Sequence, residues 1–211
     1  METNFHKSTG VSLLVGSTLA IITMILHPSG GSIEYLIKIV TPMKFAHALA
    51  ILCIPFILFG FYGVSLKLLG KWKLSMLAFL IISLAFIAAM LAAIFNGLVL
   101  PSFLGEFSES FEQNLDTLEL ITHYSFATNK ALDYVFIAGM CTAIAIYSFI
   151  IILLEQLSKW IGYLGIIILI STIIGAITGF AFTNLVGFRV FVFSIVGWIL
   201  CTGASLIRSK N

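Results

Sequence analysis

The chain has 211 residues, of which 60% are hydrophobic and only 9% charged, where a soluble domain carries about 25% charged residues. A soluble fold of this length would still need a charged skin, so this surface must face acyl chains. The net charge of +2 gives no footing for a nucleic-acid partner. Cys53, Cys141 and Cys201 each lie inside an apolar run with no CxxC pair. They read as small buried hydrophobes and exclude a paired-thiol oxidoreductase.

Set against the roughly 20 residues that cross a bilayer, the apolar runs predict six transmembrane helices near 9–27, 43–66, 75–100, 126–154, 160–183 and 185–207. The first run is long for a secretory signal and has no small-x-small cleavage site before "HPSGG", so it reads as a retained span. Its Ser12, Gly16 and Ala20 form a small-xxx-small stripe suited to close helix contact. In the second span Pro55 frees the Ile51 carbonyl and bends the helix. Between spans three and four lies an acidic outer loop, 101–125, in which Phe107, Phe111, Leu115, Leu118 and Thr122 recur at helical spacing. With "IEYLIKIV" after span one, it is expected to form short amphipathic helices over the outer face. Gly175 and Gly179 in span five make a GxxxG contact motif. Trp72, Trp160 and Trp198 read as an aromatic belt. The whole chain, 1–211, is expected to form a single six-span membrane domain.

Orientation follows from the basic residues. Lys7, Lys67, Lys71, Lys73, Lys159, Arg208 and Lys210 fall on one side, while the acidic loop has no Lys or Arg. Both termini are therefore expected to be cytoplasmic, in a plasma or inner membrane. A weak repeat appears when the spans are paired as three hairpins: odd spans end at His27, Asn96 and Asn184, and even spans open with Lys44, Lys130 and Arg189. Interfacial snorkelling would place those cations equally well.

Ionisable groups inside a membrane are costly and face a bundle interior or a wet cavity. His27 shares a helical stripe with Gly16, Ala20 and Thr23, and Asn96 shares one with Ala85, Ala89 and Ala92. Lys44 and His47 stand at i, i+3, as do Lys130 and Asp133, with Asn129 four residues before Asp133. Arg189 opens the last span. All lie at one depth, which predicts a polar pocket opening outward.

Three functions fit such a pocket. The first is binding or transport of a small anionic or amphipathic, lipid-like molecule through Lys44, His47, Asn96, Asn129, Lys130, Asp133 and Arg189, since three cations bias the site toward carboxylate or phosphate. Ser171, Thr172 and Thr178 make only a thin polar path to the other side, which favours binding over conduction. The second is a membrane-embedded hydrolase holding zinc with His27, His47, Asp133 and His123. Its topology resembles that of integral-membrane ceramidase-like hydrolases, but no HxxxH pair occurs and no residue carries over. A serine nucleophile at Ser29 or Ser32 with His47 is a weaker variant, because no GxSxG elbow is present. The third is a haem b held by His27 and His47. No cofactor is expected under the first reading, and zinc or haem only under the others. Expected partners are membrane lipids, the small ligand, and a second copy or another membrane protein.

Overall fold

The computed structural model describes residues 2–69 and 73–209, with backbone only at residues 2 and 3. Lys71, Trp72 and Lys210 lie outside the described residues. Six helices long and apolar enough to cross a membrane are present, and the described residues contain no strand. Helices are the natural outcome, because a chain in lipid must satisfy every backbone group within its own segment. The protein is an all-α, multi-pass integral membrane protein.

The elements are α1 (Glu2–Leu26), α2 (Ile33–Lys38), α3 (Val40–Leu68), α4 (Leu74–Ile94), a π-helical turn (Phe95–Val99), α5 (Leu100–Glu106), a 3-10 turn (Glu112–Asn114), α6 (Leu115–Leu154), α7 (Lys159–Ile177) and α8 (Leu185–Arg208). Each long helix packs on its neighbours in the sequence, and α8 packs back on α1. The six therefore close into a ring, with both ends of the chain at one end of the bundle. That end is called terminal below, and the opposite end distal.

Local chemistry sets the breaks. Pro28 disfavours helical geometry at the residue before it, and α1 stops at Leu26. The Ser32 hydroxyl caps α2 by accepting from the Tyr35 N–H at 3.3 Å. Glu34 and Lys38 pair at 2.6 Å on the exposed face of α2, and that hydrogen bond and charge hold the Glu34 carboxyl below its usual range. Pro101 lacks an N–H and crowds the carbonyl four residues earlier, at Gly97. The helix relieves that crowding by widening into the π turn. The helix α7 ends at Ile177, short of the expected 183, because Gly179 at φ +85° terminates it. Phe180 N–H donates to the Gly175 carbonyl at 2.8 Å and Gly179 N–H to Ala176 at 3.3 Å, a Schellman end. The expected GxxxG contact is thus a helix stop.

The acidic loop is mostly helical. The helix α6 begins at Leu115, so the fourth span continues well past its expected start at 126. Leu118 packs with Ile33, Leu36, Met43, Leu100 and Leu104, and Phe103, Phe107 and Phe111 close around them. This small apolar cluster caps the distal end.

The terminal half is densely packed. The Phe61 ring stacks on Tyr147 at 5.5 Å and on Trp198 at 5.9 Å. Trp198 is completely buried and donates to the Ile161 carbonyl at 3.0 Å. It is a core residue, unlike the expected belt residue, whereas Trp160 is exposed. Close helix approach uses small residues: Gly16 seats against Ile57, and Gly165 against Ser148 and Trp198. Ser12 donates to the Phe56 carbonyl at 2.8 Å, on the α1–α3 seam expected from its small-residue stripe. Cys53 is buried, while Cys141 and Cys201 are half-buried.

Candidate functional site

The distal half encloses a cavity of about 450 Å³. Lys130, Asn184 and Gly30 lie along it and are exposed, so it reaches the surface. Its deepest lining, Ile57, Phe86 and Ile199, stops above the Phe61, Tyr147 and Trp198 stack. Polar groups gather toward the distal end, and the depth is apolar. No residue of α7 lines it; the buried residues of that helix, Ile161, Gly162 and Gly165, all belong to its first two turns.

At the polar end two histidines meet. His27 follows the last residue of α1, and its Nδ1 lies 2.9 Å from the Pro28 carbonyl. His47, in the second turn of α3, has its Nδ1 2.8 Å from the Met43 carbonyl. The two Nε2 atoms are 3.2 Å apart, with ring centroids at 4.7 Å. Carbonyl oxygens only accept, so both Nδ1 atoms must carry hydrogen. In neutral imidazoles each Nε2 then presents a lone pair. The four nitrogens and two carbonyls make three contacts and need three hydrogens, and two neutral rings supply two. In the neutral pair the two Nε2 lone pairs therefore face each other across 3.2 Å, an arrangement that a shared proton or a metal ion relieves.

The surroundings hold this geometry. A Cβ on Gly97, in the π turn, would run into the Cβ, Cγ and Cδ2 atoms of His47, so only glycine lets that ring sit where it does. Such π turns recur at functional sites. Arg189 donates from Nη2 to the His27 carbonyl at 2.7 Å and ties α8 to the end of α1. Its Nε is buried without a hydrogen-bond partner. Asp133 is 7% exposed and accepts from Asn129 Nδ2 at 2.9 Å. Asn96 Oδ1 accepts from Ser125 at 3.3 Å. Thr23 lines the cavity at 2% exposure, and its hydroxyl has no hydrogen-bond partner.

Of the residues expected from sequence, His27, His47, Asn96, Asn129, Lys130 and Asp133 line this one cavity. Lys44 and Arg189 do not: Lys44 is half-buried outside the lining, and the Arg189 guanidinium is turned to the His27 backbone. Lys130 and Asp133, three residues apart on α6, form no ion pair with each other. The ion pairs among the described residues are Lys38–Glu34 and Lys159–Glu155, because Lys130 points to the surface while Asp133 points inward. The four-ligand zinc set is not assembled either, since no three His, Cys, Asp or Glu side chains among the described residues converge. His123 is exposed, and ten residues of helix set it roughly 15 Å from Asp133 along the axis. A haem between His27 and His47 does not fit, because axial ligands stand on opposite faces of a macrocycle and these nitrogens touch directly. Ser32 is a helix cap, which accounts for it without a nucleophilic role.

Thr23, Ser125 and Gly97 were not read as site residues. Gly97 left a signal, a proline four residues later. Compared with protein-family models, curated proteins and solved structures, the chain matches none.

Proposed function

We propose that the protein binds an anionic, single-chain amphiphile in the distal cavity, with the head group at the polar end and the hydrocarbon chain in the apolar depth. The observation that carries this reading is the cavity's polarity gradient, from Lys130, Asn129 and the histidine pair down to Ile57 and Ile199. Its volume of about 450 Å³ falls in the roughly 300–1,000 Å³ range of small-molecule sites. Lys130 at the mouth, with Arg189 and Lys44 half-buried at the same end, outnumbers the single carboxylate of Asp133 and favours carboxylate or phosphate over a cation. A chain drawn from the bilayer is already in hydrocarbon, so the head-group contacts set the affinity and the apolar depth supplies packing.

The wall between α6 and α8 contains no α7 side chain along the cavity, so an amphiphile enters sideways from the bilayer. The excess of Lys and Arg at the terminal end supports a cytoplasmic position for that end, with the cavity facing the outer leaflet. The aromatic stack closes its floor, which favours binding or sensing over conduction.

The test is competition for the purified protein between lysophosphatidate, oleate and monoolein at matched chain length. The anionic probes are expected to bind at least about tenfold tighter than monoolein, or 1.4 kcal/mol. Equal affinities would reject an anionic head-group site, and no displaceable binding by any of the three would reject the cavity reading.

A further inference from the structure

The geometry points to a two-histidine site for one divalent first-row transition-metal ion, zinc being the simplest, held by the Nε2 atoms of His27 and His47. Three observations converge. The nitrogens lie 3.2 Å apart, and a metal at the usual Zn–N length of about 2.0–2.1 Å subtends about 100–105° across that gap, close to tetrahedral. Each ring is also fixed in the ligating tautomer by an Nδ1–H donated to a backbone carbonyl, Pro28 for His27 and Met43 for His47. That is the outer-shell arrangement of metal-bound histidines, which orients the ring and raises its basicity. Finally, Gly97 leaves the space that seats His47 against its partner.

The pair lines the cavity, so the remaining coordination positions face it. Asp133 and Asn96, which line the same cavity, bring a carboxylate and an amide to its polar end, and water or an added carboxylate can fill the open positions. With only two protein nitrogens converging, the site is an open one, unlike a closed structural zinc centre. The Arg189 guanidinium is engaged by the His27 carbonyl, and Lys130 is exposed at the mouth. Neither group can donate an electron pair, which leaves the histidine pair as the donor set.

A shared proton would satisfy the same two lone pairs, so the experiment must separate proton from metal. Chelator-treated protein in detergent is titrated with Co²⁺ and with Zn²⁺, and the Co²⁺ form is followed by its visible d–d absorption. One equivalent with a tetrahedral-type spectrum is expected. Affinity should fall about 100-fold or more in His27→Ala and in His47→Ala, and stay unchanged in His123→Ala. Should either cavity variant fail to fold, X-ray absorption of the zinc-loaded wild type decides, with two imidazole nitrogens expected at about 2.0–2.1 Å. Absence of stoichiometric uptake, uptake undiminished in both variants, or a spectrum without two imidazoles overturns the assignment and leaves the proton as the species between the rings. The readout is independent of amphiphile binding.

Discussion

The two halves of the bundle fill the space around their buried polar groups in opposite ways. In the terminal half, Ser65 and Tyr147 share a 2.7 Å hydrogen bond, Ser65 and Ser75 each donate to the other's carbonyl, and Trp198 donates to Ile161. These groups are satisfied inside the protein, with the buried Ser148 hydroxyl beside Gly165 as an exception, and aromatic rings fill the space around them. In the distal half, two Nε2 lone pairs face each other, the Thr23 hydroxyl and the Arg189 Nε lack partners, and the space around them is a cavity. Interiors are normally close-packed and a void forfeits contacts, so a bundle built for stability alone would repeat the filled terminal pattern at both ends. The terminal half holds the helices together, and the distal half keeps open the space that the proposed binding uses.

If this division holds, substitutions in the two halves separate stability from binding. The largest effect is expected for Phe61→Ala, which removes the centre of the aromatic stack. It should lower stability by about 3–5 kcal/mol in detergent unfolding, while the folded fraction keeps its affinity for the anionic amphiphile. A smaller and sharper comparison pairs two glycines. In Gly165→Ala the new methyl meets Ser148 and Trp198 in packed surroundings, and overpacking should cost about 1–3 kcal/mol with binding unchanged. In Gly97→Ala the methyl meets the His47 Cβ as well as its ring, so turning the ring into the cavity does not relieve the clash and α3 must move away from the π turn. Stability should fall at least as much as for Gly165→Ala, and in the folded fraction metal uptake is lost and amphiphile affinity drops. Undiminished metal uptake and amphiphile affinity in the folded fraction of Gly97→Ala would show that His47 serves packing.

Much of the fold was legible because a long apolar run has a single meaning in a membrane, and all six spans sit within a few residues of expectation at one or both ends. The stripe of Gly16, Ala20, Thr23 and His27 also pointed where it was read, toward protein. Hydropathy alone could not tell a lipid-facing tryptophan from a core one, so Trp198 was misplaced. Nor could residue spacing tell the Gly175–Gly179 contact motif from a helix stop, since the difference lies in the positive φ of Gly179.

The site was legible as a level and not as a geometry. Periodicity placed His27, His47, Asn96, Asn129 and Asp133 at one end of the bundle. Which nitrogen each histidine turns inward depends on carbonyls at Pro28 and Met43 and on the π turn before Pro101, which are tertiary facts. Lys44, Lys130 and Arg189 looked equivalent as openers of their spans. They differ because one is half-buried outside the lining, one lies at the mouth and one is drawn to a backbone carbonyl.

The central claim is that the distal cavity is a binding site whose space the fold does not need. Ala89 is half-buried on its wall, and Ala89→Phe would fill part of it. Native mass spectrometry of wild type and this variant, each extracted from membranes in the same detergent, tests the claim most directly. The account predicts an adduct of amphiphile mass on the wild type, its loss from Ala89→Phe, and a thermal midpoint in the variant at or above that of the wild type. An adduct retained undiminished by the variant, or a wild type that carries none and takes up none when lysophosphatidate is added, would contradict it.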